Sequence, residues 1–513
     1  MNAGTWLFKR SIISPNKTAI VSEQGLLTYH ELNSRVNRLS HFLLKLNLRP
    51  GDRVAVLSRN RPEFLEVYFA SAKLALIFVP LNFRMAPPEL AYQLVDSGVS
   101  VLVFDMGFAA LVRESIRFIT VNPPKFIGLG TKSPDWSSGY EGWIIDQPAE
   151  EPPTLEEATS LDTPQMIMYT SGTTGTPKGA LLSHRKTLFN TLNAQIYFDL
   201  FSNDVMLIAL PLFHSGGLNI MAVPTIYAGG KIVLESKFDP KTFLTLVGKH
   251  RVTQAMLVPT MLNTILNECR PEDFDLSSLR SVLIGGEPVS ADLMHRAQDN
   301  GIPVRQIFGQ TETSIELWVP EEMAREKAGS VGLPVFHGEV QVVDDSGRPV
   351  IGEVGEIVVK GPIQMTAYWN MPEETQKTIR NGWLHTRDLG KVDEQGFFYA
   401  VDRMGDMYIS GGENVYPAEV EKVLINHPKI YEVAIIGIPH PKWGKTGHAF
   451  IKLRNRQDTL DYNEVVSFLR GKVALYKIPK DIEIINELPK TASGKIRKSE
   501  LVCSVPRKIF ESS

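Results

Sequence analysis

Tyr169-Thr-Ser-Gly-Thr-Thr-Gly-Thr-Pro-Lys-Gly179 follows the apolar run Met166-Ile-Met168, which reads as a strand end. Its glycines let the backbone turn N–H groups toward an anion. Thr170, Ser171, Thr173, Thr174 and Thr176 add hydroxyl donors, and Lys178 adds a positive charge. The stretch reads as a polyphosphate cradle joining a strand end to a helix-like segment. It is not a Walker A loop, which needs Gly-x-x-x-x-Gly-Lys-Ser/Thr, because Lys178 stands between Pro177 and Gly179. A flexible Ser/Thr/Gly linker is the bland alternative. An ordered Pro-Lys-Gly after a strand argues against it.

Outward from this loop, strands and helices alternate. Leu32, Val36, Leu39, Phe42 and Leu43 form one stripe of a helix over Thr28–Leu44. Short strands are expected at 54–57, 75–80, 101–104, 205–210, 231–234 and 282–284, with helices between them, including one at 62–74. That pattern predicts α/β layers with largely parallel sheets. After residue 328 the texture turns to strands and Gly-rich turns (340–343, 355–360, 397–401), a β-rich subdomain at about 329–401. From Val415 a mixed pattern returns: a helix at 418–426, strands at 433–436 and 448–453, a helix at 463–472 and a strand at 482–485. The expected organisation is a large N-terminal domain over 1–401, a hinge at 402–403 and a small, mobile α+β domain over 404–513.

Of 513 residues, 43% are apolar and 22% charged, with a net charge of −3. Such a chain has no basic surface for bulk nucleic-acid binding. Two cysteines, Cys269 and Cys503, exclude a disulfide framework and show no metal-ligand spacing. No signal peptide is expected at the N-terminus, and the most apolar segment, Val67–Leu81, is too short to span a bilayer. The expected location is the cytoplasm, with peripheral contact at a membrane left open.

The phosphate loop resembles the signature of the adenylate-forming, AMP-binding superfamily, which includes acyl-CoA synthetases, 4-coumarate-CoA ligases, firefly luciferase and peptide-synthetase adenylation domains. The resemblance covers nearly the whole chain, because further blocks occur in order. It implies that Thr170, Ser171, Gly172, Thr173, Thr174, Gly175 and Lys178 bind ATP phosphates. Ile307-Phe-Gly-Gln-Thr-Glu-Thr-Ser314 is similar to the aromatic-Gly-x-Thr-Glu block, which includes Gly309. Thr311 would contact the α-phosphate and Glu312 would hold Mg²⁺, in keeping with the preference of a hard cation for carboxylate oxygen. Taken alone, Thr-Glu after Gly is equally a helix N-cap pattern. Gly285-Gly286-Glu287-Pro288 resembles the adenine-side loop, or is a bare β-turn.

Trp383-Leu-His-Thr-Arg-Asp-Leu-Gly390 resembles Trp-x-x-Thr-Gly-Asp, so Asp388 would bind the ribose, with Arg387 in place of the family's Gly. Asp402 falls on the hinge and Arg403 on a nucleotide-contacting position, while Gly405 replaces the usual Lys. Gly411 and Gly412 suit close backbone approach along a pantetheine tunnel. Lys445 replaces the Glu of a Trp-Gly-Glu segment. Lys495, after Ala-Ser-Gly, is the candidate catalytic lysine, and His214 resembles a gate or thiol-channel residue.

The implied reaction joins a carboxylic acid to AMP and then to coenzyme A, using ATP and Mg²⁺. Ala209–Leu218 lacks the acidic residue that pairs with an amino acid's ammonium, so the acid carries no amine. The expected acid is a medium- or long-chain fatty acid. An aryl acid of the coumarate, benzoate or succinylbenzoate type is the alternative. A non-catalytic nucleotide-binding relative and an enzyme using another acceptor are the rivals. The partners implied are the acid, ATP and CoA, with no nucleic acid, no transmembrane segment, and a homodimer left open.

Overall fold

The computed structural model describes residues 2–120, 123–130, 134–155, 160–170, 177–286, 289–410, 413–440, 443–470, 472–473, 475–490, 494, 496–498 and 500–501. Its larger part is built on two mixed sheets. The first has nine strands in the order Leu333–Pro334, Ser314–Trp318, Val304–Gln310, Ser281–Ile284, Gln254–Leu257, Val205–Ile208, Lys231–Leu234, Thr18–Ser22 and Gly25–Thr28. The second has eight, in the order Ala367–Tyr368, Lys178–Ser183, Pro164–Thr170, Ile77–Leu81, Arg53–Leu57, Val99–Asp105, Lys125–Leu129 and Ser138–Gly139. Both are parallel through their middles, as the alternating pattern requires. The expectation of largely parallel sheets needs one correction: antiparallel strands flank them, and those flanks carry the candidate site.

The interior strands are apolar on both faces because helices cover both. Strand Arg53–Leu57 is buried from Val54 onward. Helix Pro62–Lys73 is buried along its whole length, wedged between neighbours. Helix Tyr29–Lys45 begins at a capping box in which Thr28 and Glu31 satisfy each other's backbone N–H groups. The apolar stripe read from the sequence is its buried face.

A third, antiparallel sheet is built from Glu339–Val343, Gly355–Lys360, Trp383–Val392, Ile379–Arg380 and Phe398–Arg403. It corresponds to the β-rich segment seen in the sequence. The smaller C-terminal domain has its own five-stranded sheet, centred on the long hairpin Ile430–His440 and Gly444–Leu453. Helices Pro417–Leu424 and Tyr462–Leu469 pack on it around a separate apolar core.

Candidate active site

Two hairpins meet at the site. In the first, strand Pro164–Thr170 pairs antiparallel with Lys178–Ser183, so Thr170 lies opposite Lys178. The phosphate loop therefore joins strand to strand, and helix His184–Tyr197 begins only after the second strand. This corrects the expected strand-to-helix connection. The Pro-Lys-Gly run extends into β structure because Ala180-Leu-Leu is apolar and fills the sheet interior. Ser171, Gly172, Thr173, Thr174 and Gly175 lie outside the described residues.

In the second hairpin, Thr311-Glu312-Thr313 is the turn between strands Val304–Gln310 and Ser314–Trp318. The helix N-cap alternative is thereby excluded. Gly309 is required here, since a Cβ at that position would lie 1.8 Å from Ser314 O. Similarly, a Cβ on Gly285 would lie 2.6 Å from Ile307 O, and Gly286 takes a φ of +87°. Backbone crowding thus demands glycine at Gly309 and Gly285. Glu287 lies outside the described residues.

The hairpins are held together by a segment the sequence reading passed over. Ala367–Tyr368 adds a two-residue strand to Ala180 and Leu181, and Met365 N donates to Glu312 O at 2.6 Å. The Tyr368 hydroxyl donates to Glu312 Oε1 at 2.8 Å, and Thr170 Oγ1 donates to the same oxygen at 3.4 Å. Glu312 is buried, yet no ion pair engages it among the described residues. Nor do the described residues hold a cluster of three or more His, Cys, Asp or Glu side chains placed to hold a metal ion. A divalent cation would take Glu312 and complete its shell with phosphate oxygens, which is how Mg²⁺ is ordinarily bound. The residues present fit that ion.

Lys178 Nζ pairs with Glu374 Oε2 at 2.6 Å, and its ammonium lies 5.4 Å from the Tyr368 ring centroid. The pairing with Lys178, reinforced by Lys377, holds the Glu374 carboxyl well below the usual range.

Lys186, on the first turn of helix His184–Tyr197, was also missed. It is fully buried, and its ammonium donates to Ser314 Oγ at 2.5 Å. Burial pulls its pKa down to about 7, while Glu312 opposes the shift. Ser183 caps the helix, its hydroxyl accepting Lys186 N, a pattern that carries no sign of burial. An isolated lysine in a helix ordinarily reads as a solvated charge.

On the third sheet, Asp388 stands opposite Arg403 across the strand pair, and Arg403 Nε donates to Asp388 Oδ1 at 2.7 Å. Asp388 N donates to Thr386 Oγ1 at 3.0 Å. Arg387, where the family pattern has glycine, adopts a left-handed backbone with φ +64°. Glu356 supports this turn, accepting Arg387 N at 3.0 Å and contacting His385 Nδ1 at 2.6 Å. The nearby Asp388, and more weakly Glu312, raise the Arg403 pKa. Thr170, Lys178, Glu312, Asp388 and Arg403 therefore form one neighbourhood.

His214 precedes a π-helical turn, Gly216–Ala222, and its ring stacks obliquely on Phe213, which in turn meets Phe83. Asn60 braces this corner. Its amide accepts Leu212 N at 2.8 Å and donates to Leu210 O at 2.9 Å. Such π turns concentrate at functional sites.

Asp402 and Arg403 close strand Phe398–Arg403. Asp402 accepts Arg403 N at 2.7 Å and Ala418 N at 3.1 Å. The second bond caps helix Pro417–Leu424, whose N-cap, Tyr416, has no capping side chain. Burial pushes the Asp402 carboxyl up to about 6, and Lys498 opposes this. Gly411, Gly412 and Lys495 lie outside the described residues. The ends of the Lys495 segment are tied by a Lys490–Ile496 bridge and by Arg497 N donating to Pro489 O at 2.8 Å. A cavity of about 570 Å³ lies between the domains, lined partly by Ser290, Lys422 and Phe468, and contains none of the candidate residues.

Comparison with known proteins matches the AMP-binding enzyme family over residues 9–369 and the AMP-binding enzyme C-terminal domain over 419–495. The chain is 42% identical over 500 residues to a feruloyl-CoA synthase of Amycolatopsis, covering 97% of this chain and 98% of the relative. It is 37% identical to an indoleacetate–CoA ligase of Aromatoleum aromaticum, covering 99% of both. The fold superposes on o-succinylbenzoate CoA synthetase from Bacillus subtilis in complex with its acyl-adenylate intermediate. The TM-score is 0.86, with 34% identity and 97% of each chain covered.

Proposed function

This chain belongs to the AMP-binding enzyme family and is an acid–thiol ligase using ATP, Mg²⁺ and CoA, and we propose that its acid is an aryl acid. The observation that carries the proposal is the set of relatives covering nearly the whole chain, whose names specify feruloyl, indoleacetate and succinylbenzoate substrates. The medium- or long-chain fatty acid expected from the sequence gives way to this reading. Apolar residues flanking the site, such as Met221, Met256 and Ile315, belong to the main apolar cluster. Apolar composition alone does not separate a pocket from a core.

The chemistry follows from charge. A carboxylate oxygen attacks the α-phosphorus of ATP, a P–O bond forms, the α–β bridge breaks and pyrophosphate leaves. Both reactants are anions, so the protein's task is neutralisation and alignment. Lys178 and the Thr170-to-Lys178 loop face the phosphates, Thr311 the α-phosphate, Asp388 the ribose and Arg403 the nucleotide. Glu312 would hold Mg²⁺, which when bound would supply positive charge to neutralise the phosphate oxygens. Lys495 acts in this first half-reaction. CoA thiolate then attacks the acyl carbon, forming the thioester and expelling AMP. Movement of the small domain about Asp402 separates the two steps, with His214 beside the thiol path.

The test is carboxylate-dependent AMP release over straight-chain and aryl acids, with and without CoA. CoA-dependent turnover concentrated on ring-bearing acids is expected. Turnover confined to alkyl acids would overturn the aryl assignment. ATP binding without turnover of any acid would point to a non-catalytic relative.

A further inference from the structure

The segment around Lys495 is attached to the small domain in two ways. One attachment is apolar: Leu488, Ile496 and Leu501 share a small cluster with Ile436 and Phe450 of the long C-terminal hairpin. The other is charged. Lys498 is mostly buried, and its ammonium donates to Glu421 Oε1 at 2.8 Å and lies 3.8 Å from Asp406 Oδ2. Glu421 sits on helix Pro417–Leu424, and its Oε1 also accepts Ile435 N at 2.6 Å, which fixes the carboxylate. Asp406 lies in the turn beyond the hinge, its N donating to Arg403 O at 3.0 Å. Asp402 is within electrostatic reach of the same ammonium and caps the same helix through Ala418 N.

One ammonium thus joins the hinge, the turn beyond it, the capped helix and the Lys495 segment. Burial opposes the charge on Lys498, but Glu421, Asp406 and Asp402 outweigh it and hold its pKa above the ordinary lysine value. Apolar contacts are non-directional. A buried ammonium among carboxylates has a defined seat, and removing one partner leaves the others uncompensated. Lys498 follows Lys495 by three residues, at most about 11 Å of extended chain. The seat of one therefore limits the reach of the other. Among the described residues, no part of this segment belongs to the main apolar core of the small domain, so the ion pair orders the segment without building that core.

We propose that Lys498 is a positioning residue for acyl-adenylate formation. By pairing with Glu421 and Asp406 it holds the Lys495 segment in register with the hinge, so that movement of the small domain about Asp402 brings Lys495 to the phosphates in one geometry. Thiol attack on a finished acyl-adenylate makes no use of Lys495 and does not depend on this pairing. The proposal rests on the assignment of Lys495 to the first half-reaction and extends it.

The experiment measures the half-reactions separately: acid-dependent pyrophosphate exchange, and thioester formation from supplied acyl-adenylate and CoA. The acid is the one of highest turnover in the panel of straight-chain and aryl acids, and the adenylate is made from it. The proteins are the wild type, Lys498→Met, Lys498→Arg and Glu421→Gln, with Lys495→Ala as the reference. Lys498→Met and Glu421→Gln are expected to lower exchange by roughly ten- to a hundredfold while thioester formation stays within about twofold. Lys498→Arg, which keeps the charge, should recover most of the exchange. Exchange at the wild-type rate in Lys498→Met overturns the proposal. So does a loss in Glu421→Gln that falls on both half-reactions alike, the mark of a purely structural role. Glu421→Gln keeps an oxygen for Ile435 N, and it decides the matter if Lys498→Met does not fold. Should Lys495→Ala itself lose both half-reactions alike, the assignment of Lys495 fails and this proposal with it. A selective loss of exchange in Lys495→Ala alone defeats only the proposal.

Discussion

Lys186 shows how a single side chain can be both a liability and a resource. Its folded-state pKa lies near 7, below the ordinary lysine value of 10.5, because burial opposes the charge. Between those values the unfolded chain holds a proton that the folded chain lacks, so stability rises with pH across that window. Lys186→Met should therefore raise the thermal midpoint most at pH 6, with the gain shrinking toward pH 10. The same change removes a positive charge beside Glu312 where two anions must meet. Pyrophosphate exchange is expected to fall by roughly ten- to a hundredfold. An unchanged exchange rate would mean that the ammonium plays no part.

Arg387 poses a milder conflict. A left-handed backbone costs a non-glycine residue on the order of 1 kcal/mol. The turn it strains is the one that delivers Asp388. Arg387→Gly should raise stability by about that amount and leave ATP use intact. A tenfold loss of activity in chemical or thermal assays at full folding would show that the guanidinium has acquired a task. The substitution was visible in the sequence against the family pattern. Its consequence was not, because only the structure shows that the arginine takes a left-handed backbone.

At the scale of elements, the ion pair between Lys178 and Glu374 ties the phosphate hairpin to helix Pro372–Thr378. ATP phosphates must compete with that carboxylate for the ammonium. Glu374→Gln is expected to lower the KM for ATP about two- to fivefold, in line with a pair whose carboxylate stays partly exposed. Titration of ATP binding would measure it, and a weaker affinity would contradict it.

Long elements with clear periodicity were legible in the sequence. The helix capped by Thr28, the strands around Val54, Val101 and Lys231, and the two C-terminal strands around Val433 and His448 fall where expected, though the last two run on into one long hairpin. The short ones were not. Ala367–Tyr368 is too brief to carry any periodicity, yet it joins Glu312 to the phosphate strand. The Thr311–Thr313 turn was ambiguous for a related reason. The same residues that cap helices also serve in turns, and only the pairing of the flanking strands decides between them. Lys186 escaped because a lysine in a helix is read as solvated until its burial is known.

For the molecule as a whole, Asp402 connects one domain's last strand to the other domain's first helix by capping it. Its raised pKa carries a definite sign. Stabilisation from the protonated form is complete below the ordinary carboxylate range and is lost as pH rises through about 6. Lys498, Glu421 and Asp406 are the charged neighbours in the same cluster. The wild-type thermal midpoint should fall relative to Asp402→Asn between pH 5 and pH 7, and parallel curves would show that Asp402 does not titrate there. Within the large domain, strand Thr18–Ser22 pairs Ile20 with Ile232 and Val21 with Val233. A ribosome adding about 5–20 residues per second would therefore expose this apolar strand for roughly ten to forty seconds before its partner emerged. During synthesis the nascent chain thus carries an unpaired, sticky edge from its first strand onward, and its yield in the cell depends on what shields that edge in the interval.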